Sequence, residues 1–79
     1  MEPQALAELL RERMPGYEIA VSGDGRHFEV ILIGEGFEGL RTLKRQQLVY
    51  AALAQEIADG TVHAVQMRTL TPAEAEAQG

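Results

Sequence analysis

A helical pattern lies between two strand-like segments of the chain, and this order restricts the folds open to it more than any other feature. Residues 27–33 and 62–69 are rich in β-branched and other apolar residues, and residues 43–58 lie between them. A connection that contains a helix is the usual crossover between parallel strands of one sheet. The sequence therefore predicts a helix over residues 43–58 that joins two parallel strands. The buried stripe expected for this helix is formed by Val49, Ala52, Leu53 and Ile57.

A hairpin is predicted before this crossover. Residues 17–21 have a strand-like composition, and residues 22–25, Ser-Gly-Asp-Gly, have the composition of a tight turn. Residues 17–21 and 27–33 are therefore expected to pair as antiparallel strands. One face of the second strand should carry Phe28, Val30 and Leu32, and the other His27, Glu29, Ile31 and Ile33.

Both ends of the chain carry helix signals. Pro3 suits a first helical position, and apolar residues recur at helical spacing until Pro15 stops the pattern. Near the other end, Thr71 is a predicted N-cap with Pro72 in the first turn, followed by an Ala/Glu tail that is expected to fray. The predicted architecture is an α+β domain of order α-β-β-α-β, with a three-stranded mixed sheet packed against helices and a short C-terminal helix. We expect one domain over residues 1–79, with an ordered core over about residues 3–74. The apolar residues of the first helix are Leu6, Leu9, Leu10 and Met14.

The absence of cysteine limits the chemistry of the chain. With 79 residues and no cysteine, it can form neither a disulfide framework nor a self-contained thiolate metal site. No nucleophile is paired with a base and no carboxylate pair has evident catalytic spacing, so we do not expect an enzyme. No apolar run approaches the roughly 20 residues that span a bilayer. The N-terminal segment carries the acidic residue Glu2 and is unlike a signal peptide. We therefore expect a cytoplasmic location and no membrane contact.

The charge of the chain is unevenly placed. Twelve acidic residues against seven Lys and Arg give a net charge of -5, which disfavours binding to a polyphosphate backbone. Between Gly39 and Gln55, however, the only charged residues are Arg41, Lys44 and Arg45. This basic patch is either a solvated helix face or a docking surface for a partner.

Residues 34–39 contain two glycine patterns. They match G-x-G-x-x-G between a strand and a helix, which is typical of a dinucleotide site, but Glu35 and Glu38 would place two carboxylates beside a pyrophosphate. The inner segment from Gly36 to Gly39 fits the G-x-x-G loop with which KH domains clamp a nucleic-acid backbone. The remaining interpretation is structural.

On that structural interpretation, the glycine segment is a flexible loop whose Phe37 packs into the core. If the segment instead binds nucleic acid as a KH-type loop, the binding should be weak, because the acidic residue Glu38 lies inside the G-x-x-G segment. Arg41, Lys44 and Arg45 would compensate for it only in part.

The two histidines of the chain stand near the starts of the two predicted parallel strands. His27 begins one strand and His63 lies near the start of the other. Parallel strands begin at the same edge of a sheet, and neighbouring strands are about 4.8 Å apart, so both imidazoles are expected at one end. Strict alternation could still send the rings to opposite faces. Two imidazoles supply only two of the four ligands of a tetrahedral metal site. Further ligands would have to come from carboxylates such as Asp24 or from a second protein.

Several segments in a fixed order resemble the BolA family. They are residues 22–30, the Phe-Glu-Gly turn at 37–39, residues 44–50, and the Val-His-Ala and Thr-Leu-Thr-Pro segments at 62–64 and 69–72. Together they cover roughly residues 17–74. The short form with Gly-Asp-Gly before His-Phe is most similar to the bacterial IbaG branch of that family.

The resemblance implies a fold similar to class II KH domains and a non-catalytic role. It implies a monothiol glutaredoxin as partner and a [2Fe-2S] cluster shared by the pair, with thiolates from the glutaredoxin and its glutathione. His63 corresponds to the family's C-terminal ligand histidine, and His27 to the histidine or cysteine of the hairpin region. No cofactor is expected in the isolated chain, which would be a monomer or a weak homodimer.

The basic patch has a different role under each hypothesis. In the adaptor hypothesis, Arg41, Lys44 and Arg45 help to dock the partner. In the alternative hypothesis, a transcriptional regulator binds nucleic acid through the KH-like surface, with the same three residues and the loop glycines Gly36 and Gly39. The family is also linked to stress responses.

Overall fold

The computed structural model describes residues 1–78. Gly79, the last residue of the predicted domain, lies outside the described residues. The elements follow the predicted order, with one additional break and a 3-10 turn. They are α1 (Pro3–Arg13), β1 (Glu18–Gly23), β2 (His27–Ile33), a 3-10 helix (Glu35–Phe37), α2 (Thr42–Ala52), α3 (Ala54–Ala58), β3 (Ala64–Leu70) and α4 (Pro72–Gln78). No helix within these described ranges has the length and apolar character needed to cross a membrane.

The three strands form one mixed sheet of order β1-β2-β3. β1 and β2 pair antiparallel, and β2 and β3 pair parallel, which confirms the predicted hairpin and crossover. The hairpin turn depends on Gly23 and Gly25, whose φ angles of 145° and 93° are unfavourable for residues with a side chain. The α+β class predicted from the sequence is confirmed.

Alternation along β2 separates a covered face of the sheet from an open one. Phe28, Val30 and Leu32 are at most 1% exposed, whereas His27 and Glu29 on the other face are exposed. This is the predicted division of the strand. Because residues paired in register share a face, Val65, Met67 and Thr69 of β3 lie on the covered side.

The core lies between the covered face and the helices. α1 contributes its predicted apolar residues, of which Leu6 and Leu10 are fully buried, and Phe37 is buried as the structural interpretation of the glycine segment requires. Fully burying a side chain of this size contributes about 1.5–3 kcal/mol. The buried cluster is formed by Leu6, Leu10, Met14, Ile19, Phe28, Val30, Leu32, Phe37, Val49, Leu53 and Val62.

The prediction of one continuous helix over residues 43–58 is wrong, because the helix is interrupted at Leu53. The amide of Leu53 donates to the carbonyls of both Val49 and Tyr50 at 3.1 Å, and its φ and ψ of -110° and 14° end the regular helix. Leu53 itself is fully buried. After the break, Glu56 is 9% exposed and Ile57 is 39% exposed, so the prediction that Ile57 belongs to the buried stripe is also wrong.

The third strand begins later than predicted. It spans Ala64–Leu70 instead of residues 62–69, so His63 precedes the strand. The C-terminal helix starts as predicted, since the Thr71 hydroxyl accepts from the amide of Glu74 at 3.1 Å and the Glu74 carboxylate accepts from the amide of Thr71 at 2.8 Å. This helix extends to Gln78.

Candidate functional site

His27 is the first residue of β2 and is held next to the hairpin turn. Oδ1 of Asp24 accepts hydrogen bonds from the amides of Arg26 and His27, both at 2.9 Å. Oδ2 of the same carboxylate lies 3.6 Å from Nδ1 of His27. The His27 side chain is 72% exposed. The turn therefore fixes the backbone of a histidine whose ring is open to solvent.

The Asp24 carboxylate stays ionised beside this ring. The amide of His27, and then that of Arg26, donate to it and lower its pKa from the usual 3.8 to about 2. The separation of 3.6 Å between Asp24 Oδ2 and His27 Nδ1 is longer than a hydrogen bond, so the carboxylate lies beside the ring while both ring nitrogens stay open to solvent.

His63 immediately precedes β3, the strand adjacent to β2. Ala64, the first residue of β3, is the register partner of His27, so His63 is one residue away from that pair. The residues on both sides of His63 are anchored, since the amide of Val62 donates to the Glu56 carbonyl at 3.1 Å and that of Ala64 donates to Arg26 at 3.4 Å. His63 is exposed. The predicted placement of both histidines near the starts of adjacent parallel strands is therefore present.

The two histidines do not amount to a complete metal site within the part of the chain that the structure describes. Residues 1–78 contain no group of three or more His, Cys, Asp or Glu side chains placed to hold a metal ion. A groove of about 490 Å³ beside His27 is lined in part by Asp24 and Gln66. The chain thus offers imidazoles on an accessible surface, and their role as ligands stays a prediction.

The glycine segment has a packing role. A Cβ atom on Gly34 or Gly36 would collide with the ring of Tyr17, which packs over both residues. The Tyr17 ring in turn lies 4.8 Å from the ring of Phe37, centroid to centroid. The space that a pyrophosphate would need next to these glycines is filled by Tyr17, and Glu35 is exposed there. The G-x-G-x-x-G pattern is thereby explained without a nucleotide.

Gly39, the second glycine of the G-x-x-G pattern, has a different requirement. Its φ of 78° lies in the left-handed region, and a Cβ there would meet no atom within 4 Å. The amide of Leu40, the next residue, donates to the Phe37 carbonyl at 3.1 Å. Gly39 therefore serves the turn that leads into α2, and a role of Gly36 and Gly39 in holding nucleic acid stays a prediction.

The three basic residues predicted to form one docking patch differ in their surroundings. Arg41 and Lys44 are exposed. Arg45 is only 11% exposed in its side chain, because its guanidinium donates to Glu74 Oε1 at 2.6 Å, to the Leu40 carbonyl at 2.8 Å and to the Thr69 carbonyl at 2.9 Å.

Arg45 also lies over the ring of Phe37, 5.8 Å from its centroid. It thus joins the glycine segment, the end of β3 and α4. Its predicted contribution to docking remains a prediction beside this structural role, and Arg41 and Lys44 are the basic side chains that a partner can reach.

Three exposed apolar side chains near these basic residues were not predicted from the sequence. Leu43 is 66% exposed, and Leu48 and Tyr50 are each 44% exposed, all on α2. Their signal in the sequence is that they fall out of phase with the buried positions Val49 and Leu53. Leu48 lies one turn after Lys44 on the same face of α2, a combination of apolar and positive side chains that is typical of a protein-binding surface, whereas Leu43 and Tyr50 share another face.

Comparison with known proteins gives a consistent assignment. The family described as "BolA-like protein" matches residues 6–74. The chain is 45% identical over 74 residues to the acid stress protein IbaG of Escherichia coli strain K12, an alignment that covers 94% of this chain and 88% of that protein.

Solved structures agree. A BolA protein homologue from Coxiella burnetii superposes with a TM-score of 0.86 at 30% identity, covering 96% of this chain and 97% of that one. The BolA domain of SufE1 from Arabidopsis thaliana superposes with a TM-score of 0.78 at 26% identity, covering 91% and 93% of the two chains.

Proposed function

This chain belongs to the BolA family, and from that premise we propose that it is a non-catalytic adaptor that shares a [2Fe-2S] cluster with a monothiol glutaredoxin. The observation that carries the proposal is the placement of His27 and His63. Both are exposed, and they lie near the starts of two adjacent parallel strands in a chain without cysteine. A surface of this kind can complete a coordination shell that another protein begins.

The residues present fit part of a cluster site. Imidazole is an accepted ligand of a [2Fe-2S] iron in place of cysteine. The chain contains no thiol, so the remaining ligands must come from the glutaredoxin and its glutathione. We assign His63 as the main ligand and His27, with Nδ1 facing Asp24, as the second. The cluster supplies the redox chemistry, and this chain supplies imidazoles and a docking surface.

The basic and apolar side chains of α2 support the docking role. Leu48 exposes apolar surface, Lys44 lies on the same helix face one turn before it, and Arg41 precedes the first residue of the helix. The chain has a net charge of -5, so an acidic face of a partner is attracted to this local positive surface and repelled by the remaining, mostly acidic surface of the chain. We expect the pair to form in the cytoplasm and to serve a stress response.

A mixing experiment tests the ligand assignment. The cluster is reconstituted on the glutaredoxin, this protein is added, and the visible circular dichroism spectrum is followed. We expect a changed spectrum with the wild type, no change with His63→Ala, and a different new spectrum with His63→Cys, which restores a ligand of another type.

Gln66→Ala serves as the matched control, because Gln66 is also exposed at the start of β3 but has no ligand role. Binding of the cluster-free glutaredoxin is measured separately by calorimetry, which distinguishes loss of a ligand from loss of docking. If His63→Ala changes the spectrum as the wild type does, the ligand assignment is wrong.

A second candidate function rests on the exposed cations at the start of α2, Arg41 just before the helix and Lys44 within it. Arg41 and Lys44 could contact the phosphates of a nucleic acid, and the G-x-x-G segment from Gly36 to Gly39 precedes them. Against this, Glu35 and Glu38 are exposed on the same segment. Binding of this kind should weaken steeply with added salt and with Arg41→Ala. No shift of DNA or RNA at low salt would remove this candidate.

A further inference from the structure

β3 has one edge that pairs with β2 and one that no strand covers. The amide of Ala64 donates to the Arg26 carbonyl, and the Leu70 carbonyl accepts from the amide of Gly34 at 3.0 Å. The backbone groups of these two residues therefore point towards β2. Since the groups of successive residues in a strand point in opposite directions within the sheet, those of alternate residues point to the free edge.

The residues that face the free edge of β3 are Val65, Met67 and Thr69. The carbonyl of Thr69 accepts a hydrogen bond from Nη1 of Arg45 at 2.9 Å. Sheet order β1-β2-β3 leaves no strand of residues 1–78 to pair with Val65 and Met67. Two N–H and two C=O groups of these residues thus form a short open template for another strand.

The opposite edge of the sheet is less suited to a second copy of this chain. On β1, the Ile19 carbonyl accepts from Nη2 of Arg11 at 3.1 Å, and α1 packs against this strand. β1 also includes Glu18. β3 contains no acidic residue, and Arg68 is its one charged residue. In a chain with a net charge of -5, the edge of β3 is therefore where two copies can approach without opposing carboxylates.

We propose that two copies of this chain associate by antiparallel pairing of their β3 strands about a two-fold axis at Gln66. In this register, Val65 of one copy and Met67 of the other exchange both backbone hydrogen bonds, and all four open groups of each copy are satisfied. The pairing stops before Thr69, because the Thr69 carbonyl is already bonded to Arg45 and registers that need this carbonyl are disfavoured. The two sheets become one.

The same register sets which side chains meet on the open face. Gln66 lies opposite the second copy's Gln66, and Arg68 lies opposite the second copy's Ala64. No like charges face each other, and Arg68, which also contacts Gln78, has no acidic residue opposite it. This inference does not depend on the ligand roles of His27 and His63, so its failure leaves the proposed function intact.

Two substitutions on the open face test the register in opposite directions. Gln66→Lys places two ammonium groups opposite each other and should raise the dissociation constant of the dimer about fivefold at low salt. Added salt should relieve this effect. Ala64→Glu places a carboxylate opposite Arg68 and should lower the dissociation constant about threefold.

Sedimentation equilibrium over a wide concentration range measures these constants. Ser22→Lys is the control, since Ser22 is exposed on the open face of β1 and should leave the dimer unchanged. Circular dichroism melts establish that each variant is folded.

Hydrogen exchange locates the contact in the wild type. The amides of Val65 and Met67 should become more protected as protein concentration rises, whereas the amide of Val21 on the opposite edge should not. A chain that stays monomeric at every concentration overturns the proposal. The proposal is also overturned if neither Gln66→Lys nor Ala64→Glu changes the dissociation constant of the dimer, or if Ser22→Lys raises it as much as Gln66→Lys does.

Discussion

Arg13 and Glu56 form a two-pronged ion pair across 43 positions of the chain, with Nη1–Oε1 at 2.6 Å and Nη2–Oε2 at 3.0 Å. Arg13 also donates to the Ala52 carbonyl at 2.8 Å. The pair joins the end of α1 to α3 and allows Glu56 to be buried. A carboxylate removed from water is stable only when its hydrogen-bond partners are in place.

We therefore predict that Glu56→Gln lowers the urea midpoint of unfolding without changing the slope of the transition. Arg13→Lys should do the same, because an ammonium cannot make the parallel pair of bonds. The double substitution Arg13→Ala with Glu56→Ala should cost less than the sum of the two single changes. Additive costs would contradict this account of the pair.

The break between α2 and α3 shows where prediction from the sequence failed. Residues 43–58 contain no glycine or proline, so no local signal marks an interruption at Leu53. Burial of Leu53 and the pairing of Glu56 with Arg13 both depend on contacts distant in sequence. The hairpin and the alternation of β2, in contrast, follow from local turn residues and a two-residue period, and both were predicted.

The candidate site was likewise predictable from the sequence only in part. The placement of His27 and His63 near adjacent strand starts follows from strand order alone, which the sequence reveals. The contact between Arg45 and Glu74 does not follow from strand order, because 29 positions separate the two residues. The sequence did predict Thr71 as the N-cap, but not that the Glu74 carboxylate accepts from the Thr71 amide and also binds an arginine.

The packing of Tyr17 on the glycine segment gives a second prediction. Gly36→Ala should destabilise the protein by about 1–3 kcal/mol, because a Cβ atom there collides with the Tyr17 hydroxyl. Removing that hydroxyl with Tyr17→Phe should recover part of the loss in the double variant. Urea unfolding of the four proteins in this cycle measures the coupling.

Gly39→Ala is the matched control for this cycle. It should cost about 1 kcal/mol from its left-handed backbone, and Tyr17→Phe should not recover that loss, since no atom lies near its Cβ position. If Tyr17→Phe rescues neither variant or both equally, Tyr17 is not the cause.

The acidic end of the stability curve gives a third prediction. Hydrogen bonds from Arg45, and then from the amide of Thr71, lower the pKa of Glu74 from the usual 4.5 to about 2. In this range the unfolded chain binds more protons than the folded one, so the free energy of unfolding falls as pH drops from 4.5 towards 2. Above that range this group contributes its full stabilisation.

Glu74→Gln should therefore unfold more easily at neutral pH and show a shallower loss of stability on acidification. Some acid dependence should remain, because the pKa of Asp24 is lowered in the same direction, from 3.8 to about 2. Thermal melts between neutral pH and pH 2 provide the measurement. A variant whose curve parallels that of the wild type would show that Glu74 does not titrate as described.

The different surroundings of the basic residues on α2 separate docking from folding. Lys44→Glu and Arg41→Glu should slow association with the glutaredoxin and change its salt dependence, because both side chains are exposed. The free energy of unfolding should change by no more than about 0.5 kcal/mol, as is usual for exposed positions.

Arg45→Lys should have the reverse pattern, because it keeps the charge but loses the forked contacts with Glu74 and the Thr69 carbonyl. Stopped-flow association rates and urea midpoints, measured on the same three variants, check both halves of this prediction. An Arg45→Lys protein that folds as stably as the wild type but associates slowly would instead place the docking contact at Arg45.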